Sequence, residues 1–371
     1  MSDRLGIRGY DYIEFYVGSA KMAAYWYAKA MNMEISGYQG PETGVRDRTS
    51  YYLTKNRLKF VITSGLQPDS VEILNFLNLH GDGIKRWAME VDDVETIYKH
   101  AMEKGAISVR RPHFLENEHG TVSEAAIRLF DDTELVYINR DNYEHIFKPG
   151  FDRPIQNIEI QAEETGLMAV DHIVGNVREN EMDKWADYFN ETMNFQTFVD
   201  FQKGDIGTKY SALLSKVVRS ENSTIKNPIN EPYEGIKKSQ IEEYLEQYHG
   251  SGVQHVAIHT EDIISSITAL RKNGVEFLTV PDTYYDALWQ RKDIQIKENL
   301  DELQKLRILC DNESGGYLLQ IFTKPIGDRP TFFFEIIQRA GATGFGKGNF
   351  QALFESIELD QELRGNLDPN N

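Results

Sequence analysis

Three polar residues stand in stretches of chain that are otherwise apolar. His172 lies in Val170-Asp-His-Ile-Val, His255 in Val253-Gln-His-Val-Ala-Ile, and Glu335 in Phe332-Phe-Phe-Glu-Ile-Ile. A carboxylate in so apolar a strand needs a partner, because burying it unpaired is strongly unfavourable. Two imidazoles and one carboxylate form the facial triad of non-haem iron(II) oxygenases, which leaves coordination positions open for substrate and O2. The same residues admit a structural reading, with each a satisfied core side chain, and residue type alone does not separate the two. His259 falls four residues beyond His255, roughly 13 Å along an extended strand, too far to share one ion without a bend. It reads as structural. His249 sits in the loop Tyr-His-Gly-Ser-Gly, and His80, His100, His113, His119 and His145 show no metal-like grouping.

The elements that must carry these residues occur twice. Gly9-Tyr-Asp-Tyr-Ile-Glu-Phe-Tyr-Val and Met168-Ala-Val-Asp-His-Ile-Val-Gly-Asn-Val both read as strands with alternating apolar positions. Amphipathic helices follow, near Ala20–Met31 and Glu179–Met193. A second pair of strands begins at Gly83 and Gly252. Each runs into an acidic helix start and a lysine-then-glycine end, Asp93–Lys104 before Gly105 and Asp262–Lys272 before Gly274. Strand-like runs come next at 126–130 and 134–138 in the first half, and at 306–310, 317–322 and 331–337 in the second. This pattern predicts an α+β protein of four βαβββ units in two domains, with the boundary in the Pro/polar stretch 148–166. The expected domains are residues 1–150 and 151–371. In this repeat Tyr12 takes the place of His172 and Arg86 that of His255, so only the second half could hold a metal. A Gly-rich turn and helix close the chain at 341–365.

Bulk properties narrow the function classes. The 371 residues carry a formal net charge of -18 with no long basic run, which disfavours nucleic acid and anionic membranes as partners. One cysteine, Cys310, allows neither an intrachain disulfide nor a thiolate cluster. No window of 18 apolar residues predicts a membrane span, and the opening Met1-Ser-Asp-Arg lacks an apolar leader, so a cytoplasmic protein is expected.

Longer motifs carry a resemblance. They include Val170-Asp-His-Ile-Val-Gly-Asn-Val, Ser211-Ala-Leu-Leu-Ser-Lys-Val-Val, Pro228-Ile-Asn-Glu-Pro, Gly252-Val-Gln-His-Val-Ala and Pro281-Asp-Thr-Tyr-Tyr-Asp. Three more are Leu318-Leu-Gln-Ile-Phe-Thr-Lys-Pro-Ile-Gly-Asp-Arg-Pro, Phe334-Glu-Ile-Ile-Gln-Arg and Gly344-Phe-Gly-Lys-Gly-Asn-Phe-Gln-Ala-Leu-Phe. Gly40-Pro-Glu-Thr-Gly-Val-Arg-Asp-Arg extends the likeness to the first half. Over nearly its whole length the chain resembles the 4-hydroxyphenylpyruvate dioxygenases. The resemblance implies two vicinal-oxygen-chelate (glyoxalase/bleomycin-resistance-like) domains and Fe(II) at His172, His255 and Glu335. It implies a polar pocket of Ser211, Asn230, Gln254 and Gln320 and an aromatic one of Phe322, Phe333, Phe345 and Phe350. It also implies 4-hydroxyphenylpyruvate and O2 as substrates, homogentisate and CO2 as products in tyrosine breakdown, and a homo-oligomer, dimer or tetramer. Asn227 stands before Pro228 where the family often has an apolar residue.

Three other readings share parts of this pattern. A 4-hydroxymandelate synthase would have the same metal and substrate. An extradiol dioxygenase would need a further general-base histidine near the metal. A metal-free binding module would use the same fold without chemistry. The closing helix after Gly344 is expected to act as a lid, its glycines absorbing backbone change. Deleting residues 344–371 should therefore abolish turnover while metal still binds; a truncated protein with normal turnover would contradict a lid.

Overall fold

The structure, a computed structural model, describes residues 3–154, 160–201, 212–233, 238–289, 296–313 and 315–365. The first half comprises β1 (Ile7–Tyr16), α1 (Ala20–Ala30), β2 (Glu34–Gln39), β3 (Arg48–Lys55), β4 (Leu58–Gly65) and α2 (Val71–His80). It continues with β5 (Gly83–Val91), α3 (Val94–Glu103), β6 (Ser108–Asn117), β7 (Gly120–Leu129) and β8 (Thr133–Tyr143). The second half opens with β9 (Leu167–Asn176), α4 (Met182–Met193), β10 (Gln196–Phe201), β11 (Ala212–Arg219), β12 (Lys226–Tyr233) and α5 (Gln240–Tyr248). Then come β13 (Gly252–Thr260), α6 (Ile263–Lys272), α7 (Asp282–Trp289), α8 (Leu300–Leu306), β14 (Leu309–Glu313), β15 (Gly316–Phe322), β16 (Phe333–Ala340) and α9 (Phe350–Leu363).

The halves have one topology. The first sheet runs β2-β3-β4-β1-β5-β8-β7-β6 and the second β10-β11-β12-β9-β13-β16-β15-β14, eight strands each. In each, two βαβββ units join where their opening strands pair antiparallel, β1 with β5 and β9 with β13. Local chemistry agrees with the expected boundaries. Asp93 and Asp262 cap α3 and α6, each accepting a backbone N–H of the first turn. One expected strand is corrected. Leu306 ends α8, and Arg307 turns the chain in the left-handed region before β14 starts at Leu309. Leu306, the expected start of the strand, instead belongs to a short helix packed against α6, with Leu303 buried.

The concave face of the first sheet is filled. Phe147, from the segment after β8, stacks on Tyr52 at 4.5 Å and meets Tyr12 edge-on at 5.0 Å. Beside it lies a buried ion network. Arg86 donates to Glu14 (2.8 Å), Glu134 (2.9 Å) and the Tyr16 hydroxyl (3.0 Å). Burial pushes the Glu14 carboxyl up, but Arg86 together with Lys148, the Thr63 hydroxyl and Arg48 outweighs that and holds it low. Replacing Arg86 with leucine leaves Glu14 buried without its main cation. Arg86→Leu should cost about 3–5 kcal/mol of stability, read from urea unfolding, while metal uptake by the second half is retained.

Candidate metal centre

The site begins with register. His172 on β9 pairs with Ala257 on β13, and Ala257 pairs with Glu335 on β16. Residues paired across strands share a face, so His172 and Glu335 flank one small methyl group and converge above it. His255 stands two residues before Ala257 on the same face of β13. The first half keeps the small residue as Ala88, but Tyr12, Arg86 and Val136 surround it.

The three side chains meet. Glu335 Oε2 lies 3.2 Å from His172 Nε2 and 3.4 Å from His255 Nε2. All three ligand atoms fall within 4.8 Å of one another. The residues are buried, with exposures of 3% for His172, 8% for His255 and 3% for Glu335. Ligands about 2.0–2.1 Å from a shared ion stand about 3 Å apart, so this donor set fits a metal. Among the described residues no other group of His, Cys, Asp and Glu converges in this way.

The ring orientations have a cause. Each ligand histidine turns its Nδ1 to the side chain just before it, His172 to Asp171 at 2.7 Å and His255 to Gln254 at 3.0 Å. Neighbours in a regular strand point to opposite faces. Here the β9–β13 register slips at both places, leaving Asp171 and Gln254 as the extra residues of two bulges. Bulges re-aim side chains, and the result presents both Nε2 atoms to Glu335. This device was not legible from strand alternation alone.

Electrostatics follow from the same contacts. Burial pushes the Glu335 carboxyl up, but His172 and then His255 outweigh it and hold it at about 2. Burial lowers the His172 imidazole, yet Glu335 and Asp171 together raise it above its ordinary value. His255 is lowered, because burial exceeds the pull of Glu335.

A cavity opens from the triad, walled mainly by apolar side chains with a few amides, the make-up of a small-molecule site. Of the residues named from the sequence, Asn230, Gln254, Gln320, Phe322, Phe333 and Phe345 line it. Phe333 stacks on the His255 ring at 4.8 Å, and Phe345 meets the His172 ring edge-on at 5.1 Å. Among the described residues, the buried Gln320 Oε1 meets no hydrogen-bond partner. Ser211 lies outside the described residues, as does the side chain of Phe350, whose backbone opens α9. Among the described residues Ser215 lines the cavity, paired with Asn230 across β11 and β12. Sequence reasoning also missed Val174, Phe201 and Gln240 on the cavity wall. His259 stands on β13 outside the triad.

The closing turn is shaped by close approach. At Gly346, in the left-handed region, a Cβ would come within 2.3 Å of Gln320 Oε1. At Gly348 it would come within 2.2 Å of Asp311 Oδ1. The positive φ of Gly346 favours glycine there, and a side chain at either position would have to displace Gln320 or Asp311.

A metal bound here must displace the proton that Glu335 and Asp171 favour on His172. Divalent-metal affinity should therefore rise with pH, with proton release, above the ordinary histidine range. Titration at several pH values with a chelator competitor checks this; affinity that is flat or falls as pH rises would contradict it.

Comparisons with known proteins agree with this geometry. Residues 169–293 match the Glyoxalase/Bleomycin resistance protein/Dioxygenase superfamily. The chain is 44% identical to a 4-hydroxyphenylpyruvate dioxygenase of Yarrowia lipolytica over 97% of its length and 94% of that protein. It is 44% identical to one of Caenorhabditis elegans over 96% of its length and 93% of that protein. Among solved structures, a mutant of 4-hydroxymandelate synthase from Streptomyces coelicolor superposes with a TM-score of 0.84 at 26% identity, covering 96% of this chain and 99% of that one. By identity and coverage, the chain belongs to the 4-hydroxyphenylpyruvate dioxygenase family.

Proposed function

We propose that the protein converts 4-hydroxyphenylpyruvate and O2 to homogentisate and CO2, using iron(II) held by His172, His255 and Glu335. The observation that carries this reading is the triad opening on a cavity walled by amides and phenylalanines. It joins the family membership, which makes the dioxygenase reading stronger than the synthase one. Two nitrogens and one carboxylate suit iron(II), which supplies the centre that an α-keto acid chelates and at which O2 is activated. The keto acid itself provides two electrons, so turnover needs no external reductant.

The protein's own contribution is orientation and exclusion of water. The bulge residues Asp171 and Gln254 hold the ligand rings, so that no rotation is needed when the donors are used. Ser211, Asn230, Gln254 and Gln320 would hydrogen-bond the substrate's oxygens, joined by Ser215 on the cavity wall. Phe322, Phe333 and Phe345 would enclose the aromatic ring, with Phe350 as a further proposed contact. As the carboxyl carbon leaves as CO2 and the side chain shifts, a ring held between phenylalanines keeps its position relative to the triad. Residues 1–150 would form the domain without metal and 151–371 the catalytic one, closed by α9. The single thiol, buried and unpaired, suits a reducing compartment, and we read the protein as cytoplasmic.

The test is an aerobic assay of iron(II)-loaded protein with 4-hydroxyphenylpyruvate, with O2 uptake followed and the product identified by chromatography. Homogentisate should form, and Glu335→Ala should abolish it. Hydroxymandelate would move the assignment to the synthase. Bound iron without O2 uptake would mean another substrate.

A further inference from the structure

We propose that Arg339 is a positioning residue that couples the closing turn to metal binding, through Asp171 and His172. This rests on the metal-centre reading above. Arg339 donates through Nε (2.7 Å) and Nη2 (2.8 Å) to the two oxygens of Asp171, and through Nη1 (2.6 Å) to the carbonyl of Gly344. Asp171 in turn faces His172 Nδ1. The next residue of the turn, Phe345, lies under the Arg339 guanidinium at 5.6 Å and meets the His172 ring. The contacts close a circuit from ligand to carboxylate, to guanidinium, to turn, and back to ligand. The Arg339 and Asp171 side chains are 11% and 8% exposed, so water screens the pair little.

The first half contains part of this arrangement, an Arg–Asp pair beside an aromatic ring, without a metal ligand. Arg140 pairs with Asp11, which lies in the corresponding register slip of β1. Its guanidinium lies over Phe147 at 5.3 Å, and Phe147 meets Tyr12, which takes the place of His172. There the arrangement seats the plug on the sheet. In the second half it seats the closing turn, and one corner of the circuit is a metal ligand. An ion that fixes His172 also fixes Asp171 and Arg339, and hence the turn. Linkage makes this reciprocal, so a seated turn strengthens metal binding.

The test uses cobalt(II) in place of iron, with no substrate and no turnover. Affinity is measured by chelator competition, and amide hydrogen exchange over residues 344–350 is compared with and without cobalt. In the unsubstituted protein cobalt should slow exchange in this turn. In Arg339→Met, affinity should fall about ten- to a hundredfold, and the cobalt-dependent slowing should disappear. Arg339→Lys keeps the charge but cannot span both Asp171 oxygens and Gly344, so it should recover affinity only in part. It also carries the test if Arg339→Met does not fold. Unchanged affinity in these variants, or undiminished slowing by cobalt, overturns the coupling. No cobalt uptake by the unsubstituted protein would instead overturn the metal centre itself.

Discussion

Glu335 is a carboxylate enclosed on a strand of phenylalanines and isoleucines, and the site depends on how its charge is met. Burial of such a group is tolerated only beside strong partners. The two imidazole nitrogens at 3.2 and 3.4 Å are those partners. They can approach because Ala257, between His172 and Glu335 in register, contributes only a methyl group. Their rings are aimed by bulge residues in the antiparallel strand pair where the two βαβββ units join. The demands of one buried charge thus reach the topology of the sheet.

Duplication explains the division of labour between the halves. Both sheets have the same strand order, the same small residue at the centre and an Asp–Arg pair holding the segment that follows the last central strand. In the first half that segment brings Phe147 onto the concave face, and Arg86 with its carboxylates fills the rest. In the second half the equivalent segment is the glycine turn at 344–349. It places Phe345 at the edge of the cavity and leaves room between the phenylalanines. The first copy is stabilised by occupying the space that the second keeps open.

Much of this was legible in the chain. Period-2 alternation marked β9 and β13, acidic caps marked the helix starts, and one carboxylate in an apolar strand marked the site. What escaped has physical reasons. Bulges break the alternation that strand reading relies on, so the roles of Asp171 and Gln254 were hidden. Ser215 joins the cavity through its register with Asn230, which the sequence alone does not show. The plug at Phe147 sits in a polar linker whose composition suggests a loop. Leu306 shows that a short apolar run fits a partly buried helix end as well as a strand.

The most direct test of the central claim is anomalous diffraction at the iron edge from crystals of the iron(II)-loaded protein. The account predicts one strong peak per chain, among His172 Nε2, His255 Nε2 and the Glu335 carboxylate, and none on the first sheet. A peak among Tyr12, Arg86 and Val136, or none at the triad of a loaded protein, would contradict it.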